Sequence, residues 1–166
     1  MKLILSYLKN YKLLIVLNIL AIFSFALVEL GIPTIIAKII DNGIANQNIA
    51  YIKQMGIVIV IISIIGVVGS ILLGYCSAKV STSVTRDIRN DIFEKSQEFS
   101  HTEYNKFGIS SMITRTTNDA FQIQQFVNIL LRTALLTPVM FIISIIMTIR
   151  TSVELSIVLA ISVPFI

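Results

Sequence analysis

The residues whose types could do chemistry are few and scattered. Glu29 is the one acid inside a long apolar run, and an ionisable group in such surroundings is costly enough to be a functional candidate. Pro33 follows four residues later, so the Glu29 carbonyl loses its helical donor and the chain is expected to kink there. Two roles stay open for Glu29: a polar residue packed at a kink near one interface, or a group in a substrate path. Arg115 and Asp119 are spaced i, i+4, which alone makes a surface pair worth roughly a few tenths of a kcal/mol. Cys76 and His101 each occur once. A lone cysteine in an apolar run cannot close an intrachain disulfide and reads as a small packing residue. His101 has no second ligand or base in sequence reach and reads as a solvated loop residue. The phosphate-cradling patterns G-x-x-x-x-G-K-[ST] and G-x-G-x-x-G do not occur, nor do G-x-S-x-G and H-E-x-x-H. This stretch alone is expected neither to hydrolyse ATP nor to hold a cofactor or metal.

With so little chemistry, the elements that carry these residues matter more. Of 166 residues, 55% are apolar and 13% charged, where soluble domains carry about a quarter charged residues. The charges are clustered, and the gaps between them point to lipid as the solvent. Met1 to Lys12 is basic and precedes an apolar run, as in a secretory signal. The run continues past Leu30 without a small-residue cleavage site, so it reads as a retained span. Spans are expected at about 13–40, 55–79 and 129–149, since a crossing takes about 20 apolar residues. The third is short, but Arg132 and Arg150 can snorkel to its two interfaces. A fourth run, 153–166, is too short to finish a crossing and reads as a helix cut off midway.

Lysine and arginine orient these spans. Lys2, Lys9 and Lys12 precede the first. Lys79, Arg86, Arg89, Lys95, Lys106, Arg115 and Arg132 lie between the second and third, while the other connections hold only Lys38, Lys53 and Arg150. The positive-inside rule puts the N-terminus and the middle connection in the cytoplasm. The same rule explains the net charge of +4 without a nucleic-acid partner. Asp41-Asn42-Gly43 has turn chemistry for the first outer connection.

The middle connection is polar yet keeps helical periodicity. Val80, Val84, Ile88 and Ile92 recur every four residues and Phe99 extends that face. Ile109, Met112, Ile113, Thr116, Ala120 and Ile123 repeat it after a break. The expected form is a helical hairpin over about 80–128, with the second span continuing roughly 30 Å beyond the bilayer. Ser100-His101-Thr102-Glu103 fits a capping box near the turn, and Gly108 permits a second change of direction. Asp87, Asp91, Glu94 and Glu98 form an acidic stripe, either a solvated face or a partner for basic residues on another helix. Gly66, Ser70, Gly74 and Ala78 fall every four residues in the second span, a spacing that lets helix backbones approach closely in lipid.

The stretch from Arg86-Asp87-Ile88-Arg89-Asn90-Asp91-Ile92-Phe93 to Phe107-Gly108-Ile109-Ser110-Ser111-Met112-Ile113-Thr114-Arg115-Thr116-Thr117-Asn118-Asp119 resembles the first intracellular loop of ABC exporters, with an "LR..LF" helix, a tip and "G.L.SR...D". Pro33 to Ile44 looks like the outer end of their first helix and Leu155 to Pro164 the start of their fourth. The likeness covers essentially the whole chain and is nearest to bacterial half-transporters of the heterodimeric multidrug type. Thr114 stands before Arg115 where the wider family has serine.

This resemblance implies an all-α membrane fold, the N-terminal portion of a six-helix transmembrane domain. It implies that Asn105, Lys106, Phe107, Gly108, Ile109, Ser110 and Ser111 form a coupling helix resting on nucleotide-binding domains, with Arg115 and Asp119 just beyond it. Phe107 is expected either to anchor that contact or to pack within its own hairpin. The implied partners are a second half-transporter, identical or different, the nucleotide-binding domains, membrane lipids and a hydrophobic small molecule. ATP and Mg would belong to the full-length transporter in the plasma membrane, which would move amphipathic drugs or lipids by alternating access. The competing readings are a truncated or stand-alone helical scaffold, and a channel. A channel would need a polar stripe along its spans, where only scattered Ser63, Ser70 and Ser144 occur.

Overall fold

A computed structural model describes residues 2–100, 102–103 and 107–151. The fourth apolar run, 153–166, lies outside the described residues. Every regular element among them is helical: α1 (Lys2–Leu8), α2 (Lys12–Lys38), α3 (Ile49–Gln97), α4 (Ile109–Thr114), α5 (Ala120–Ile129) and α6 (Leu136–Thr151). A 3₁₀ turn at Lys9–Tyr11 joins α1 to α2, and π-helical turns at Arg115–Asp119 and Leu130–Ala134 join α4, α5 and α6. Three helical runs are long and apolar enough to cross a membrane: Ile4–Ile44, Ile49–Gln97 and Ile109–Arg150. α3 is one helix of 49 residues, because its polar half keeps a continuous inward face while its solvent changes.

The chain divides into two compact units, Met1–Ile19 with Leu72–Thr133, and Leu20–Ile71 with Ala134–Ile166. In the first unit, Val80, Val84 and Ile88 of α3 are buried with Ala120, Val127 and Leu131 of the returning strand of the hairpin. Gln124 donates to Thr82 Oγ1 at 3.0 Å and Asn128 to Ser81 Oγ at 3.4 Å, which fixes the register of that pair. Four of the six residues expected to face inward on the return do so. Met112, Thr116 and Ile123 are half-buried and Ala120 buried, but Ile109 and Ile113 are exposed. A π turn carries more residues per turn than an α-helix, so the face that points inward at Ala120 has rotated away from Ile109. Asn18 of α2 is fully buried here. Its amide donates to the Leu73 carbonyl at 3.4 Å, and Oδ1 has no partner among the described residues. The buried hydroxyls of Ser77 and Thr85 bond back to the Leu73 and Ser81 carbonyls at 2.7 and 2.8 Å, and so cost little in an apolar setting.

In the second unit, α2 and α3 approach closely. A Cβ at Gly66 would lie 2.7 and 2.8 Å from the two Val28 methyls. Ser24 donates to the Ile65 carbonyl at 3.4 Å across the same contact. The buried positions of α3 then step through Gly69, Leu73, Cys76 and Val80, spacings of three and four. A stripe of every fourth residue drifts by about 40° per step from this line. Accordingly Ser70 and Ala78 are exposed and Gly74 has open space around it; of the small-residue stripe, only Gly66 lies at this contact. The turn after α2 also differs from expectation. Gly43 is buried in a π turn over Ile39–Ile44, and the positive φ, 51°, falls on Gln47.

Gly66→Ala tests the close approach. Alanine favours helix by about 1 kcal/mol, but Val28 is stiff at χ1 in a helix and cannot swing away. The expected net result is destabilisation by about 1–2 kcal/mol, read as a lower thermal unfolding midpoint in detergent, with Val28→Ala restoring it in the double variant. A stabilised single variant would show that the contact is loose.

Candidate functional site at the tip of the helical hairpin

The tip is built from local hydrogen bonds and one stack of side chains. α3 ends in tightened turns, with Glu98 N–H and Phe99 N–H donating to the Lys95 and Ser96 carbonyls at 3.3 Å. The capping box is present: Ser100 N–H donates to the Glu103 carboxylate at 2.8 Å and Glu103 N–H to Ser100 Oγ at 3.4 Å. Thr102, Glu103 and Phe107 have helical backbone. His101, Asn105 and Lys106 lie outside the described residues, so the first two residues of the expected coupling helix do too. Gly108 then takes φ 76°, ψ 135° and starts α4, which holds Ile109, Ser110 and Ser111. That combination is strained for any residue with a Cβ.

Phe107 stacks on Phe99, ring centroids 5.4 Å apart and planes 18° apart. The Arg115 guanidinium lies over the other part of this assembly, 5.8 Å from the Phe107 centroid, within cation–π range. A cavity of about 350 Å³ opens beside it, lined by Ile92, Phe99, Phe107, Met112 and Arg115 among others. Phe107 nevertheless stays 40% exposed, so it packs within its own hairpin and still offers ring surface outward. The expected Arg115–Asp119 ion pair is absent among the described residues. The two span a π turn, which shifts the i, i+4 alignment that would join them, and Arg115 turns to Phe107 instead. Ile109 and Ile113 are 67% and 59% exposed, and with Phe93 they line a second cavity of about 320 Å³. The end of the hairpin therefore presents an apolar strip beside a fixed cation.

Glu103 gives this tip a pH dependence. Its carboxyl is held below the usual carboxylate range first by the Ser100 N–H and then by the Ser100 hydroxyl. A depressed carboxyl stabilises the fold above the ordinary carboxylate pKa and loses that contribution as pH falls through the lowered value. The protection factors of the Ser100 and Glu103 amides, corrected for the intrinsic exchange rate at each pH, are expected to hold at neutral pH and to fall only under acid. Glu103→Gln should flatten the profile, and an unchanged acid response in that variant would refute the link.

The acidic stripe has partners that the sequence reading did not name. Tyr7 Oη donates to Asp91 and Tyr11 Oη to Asp87, the latter at 2.6 Å. Arg86 pairs with Asp87 at 3.0 Å and Lys95 with Glu98 at 2.6 Å. Asp87 and Asp91 thus meet α1 and the turn after it through neutral phenols, while Arg86 and Lys95 of α3 itself pair with Asp87 and Glu98. The available signal was a match of spacings: Tyr7 and Tyr11 are four apart, as are Asp87 and Asp91. Of the other candidates, Glu29 is exposed and Pro33 sits inside an unbroken α2, where Thr34 Oγ1 bonds the Leu30 carbonyl at 2.9 Å.

Residues 14–166 match the family described as the ABC transporter transmembrane region. The chain belongs to that family. As an ABC transporter transmembrane region it is similar to parts of longer proteins. It is 34% identical over 96% of its length to an uncharacterised ABC transporter ATP-binding protein, YfiB, of Bacillus subtilis, covering 28% of that protein. It is 30% identical over 96% of its length to the uncharacterised ABC transporter ATP-binding protein MT1311 of Mycobacterium tuberculosis, covering 27%. Over 74% of its length it is 24% identical to the ATP-dependent lipid A-core flippase 1 of Colwellia psychrerythraea, covering 20%. The chain thus spans about a quarter of the relatives it matches. The family accounts for the all-α build and the three long apolar helices.

Proposed function

We propose that this chain supplies the first spans of the permease part of an ATP-driven exporter, and that its hairpin tip couples nucleotide-binding domains to those spans. The observation that carries the reading is the tip itself. Beyond the stretches expected to lie in lipid at about 55–79 and 129–149, a glycine at φ 76° and a phenylalanine stack fix an exposed apolar strip, and exposed apolar surface of this kind marks an interaction site. α3 is unbroken from its apolar half to its polar half, and a stiff element can carry motion that a loose loop would dissipate.

In this reading the N-terminus and hairpin are cytoplasmic, in the plasma membrane. The coupling surface comprises Asn105 to Ser111, with Arg115 holding Phe107 in place and Asp119 on the return. The full protein binds ATP with Mg, pairs with a second half-transporter of the same or another kind, and moves an amphipathic drug or lipid by alternating access. The relative named as a lipid A-core flippase favours the lipid class. Ser70, Gly74 and Ala78, open in this chain, pack against further helices of the assembled transporter. Glu29, exposed towards the outer end of α2, borders the substrate path.

A cysteine at Ser110, placed in the full reading frame with Cys76→Ala, tests this directly. It is expected to react with a membrane-impermeant maleimide only from the cytoplasmic side, and to cross-link to a nucleotide-binding domain. Labelling from outside the cell, or no cross-link under any nucleotide condition, would sink the proposal.

A further inference from the structure

Three helices of the first unit bring unpaired cations to one level. Tyr11 of the α1–α2 turn reaches Asp87, and Asn18 of α2 reaches Leu73. Lys12 lies between those two α2 contacts, and Lys79 lies between their partners on α3. On the other side of α3, Asn128 meets Ser81 at 3.4 Å, and Arg132 is one helical turn further along, about 6 Å, back towards Lys79. Lys12, Lys79 and Arg132 are all exposed, and none has an ion-pair partner among the described residues.

No acid offsets them. Residues 1–19, 72–86 and 120–133 contain no aspartate or glutamate. The first acid, Asp87, is eight residues beyond Lys79, about 12 Å along the helix, and already holds Arg86 and Tyr11. On the side away from Asp87 the surface is apolar, with Leu13 75% and Leu72 42% exposed. Tyr75, one turn from Lys79, is 60% exposed as well, and exposed tyrosines favour the headgroup level of a bilayer. The cations therefore sit where hydrocarbon-facing surface ends and the water-facing hairpin begins.

We infer that Lys12, Lys79 and Arg132 form a belt that binds the phosphate groups of anionic phospholipids around this end of the helices. A phosphodiester offers acceptors for the arginine fork and the lysine ammonium groups, and its acyl chains cover the apolar surface beside them. This goes beyond general attraction to the membrane, because it names three residues from three helix segments as one site. It rests on the spanning helices and not on the coupling role of the hairpin tip.

The test uses the full reading frame, extracted from membranes containing phosphatidylglycerol and phosphatidylethanolamine, with co-purifying lipid quantified by mass spectrometry. Phosphatidylglycerol is expected to be enriched over its share of the membrane. The Lys12→Gln/Lys79→Gln/Arg132→Gln variant should lose at least fivefold of that enrichment, the factor given by about 1 kcal/mol for even one basic residue at an anionic surface. The charge-preserving Lys12→Arg/Lys79→Arg/Arg132→Lys variant should keep it, as should Lys38→Gln/Lys53→Gln. No enrichment in the parent, or an equal loss in the Lys38/Lys53 variant, would overturn the site. Should the triple variant fail to accumulate, the three single variants decide: each must lower enrichment, and no change in any of them rejects the belt. Cross-linking at Ser110 should be unaffected in all of them, which separates this result from failure of the coupling proposal.

Discussion

Valine at position 108 is expected to reduce substrate movement at least tenfold in the full transporter while ATP hydrolysis persists. Gly108 holds φ 76° and ψ 135°, a region where a residue with a Cβ is strained by about 1–3 kcal/mol, the more so when β-branched. Among the described residues nothing lies within 4 Å of a Cβ built there, so the strain is of the backbone. The chain relaxes only by rotating φ, and that rotation moves α4, with Ile109 and Ser110, away from the stacked Phe107. The apolar strip loses its fixed geometry while the spans keep their packing. Substrate transport and ATP hydrolysis, measured together in proteoliposomes, check this. Gly56→Ala is the control, since Gly56 also has open space but ordinary helical backbone. Equal transport per ATP in both variants would dismiss the tip as a coupling element.

Phe107→Ala carries the second large effect. It removes the stack on Phe99, worth about 0.5–1.5 kcal/mol beyond buried area, and the Arg115 cation–π contact, worth about 0.5–1 kcal/mol at an exposed site. Hairpin stability should fall by about 1–2.5 kcal/mol, the sum of those two ranges. A double-mutant cycle with Phe99→Ala should show coupling of about 0.5–1.5 kcal/mol, because one stack cannot be lost twice. The same pair separates internal packing from docking. If Phe107 only braces the hairpin, Phe99→Ala will lower cross-linking from Ser110 as much as Phe107→Ala does. A larger loss with Phe107→Ala is expected, given its outward-facing ring surface.

The fold class was legible in the chain because lipid imposes a local rule. Every backbone group in hydrocarbon must bond within its own helix, so charge-free runs announce helices one segment at a time. The hairpin was legible for a related reason: Val80, Val84, Ile88, Ala120 and Ile123 keep one helical face through polar sequence. The capping box at Ser100 and Glu103 needed only four consecutive residues, and the two hydrogen bonds formed as that spacing required.

What failed depended on turns that sequence spacing does not register. A π turn at Arg115–Asp119 uncoupled two residues that an α-helix would have paired, and rotated Ile109 and Ile113 to the surface. Antiparallel packing of α2 and α3 selects alternating threes and fours, so at that contact Gly69 and not Ser70 follows Gly66.

Composition, charge placement and periodicity by themselves determined an all-α membrane fold with long apolar helices, since each of those properties acts within a few turns of one helix. Only the tertiary structure decided which faces meet: Tyr7 and Tyr11 on the acids of α3, Asn18 on Leu73, and Arg115 over Phe107. Those contacts join residues far apart in the chain or across a change of helical pitch. Their formation is set by the relative rotation of whole helices, a quantity no single helix carries in its own sequence.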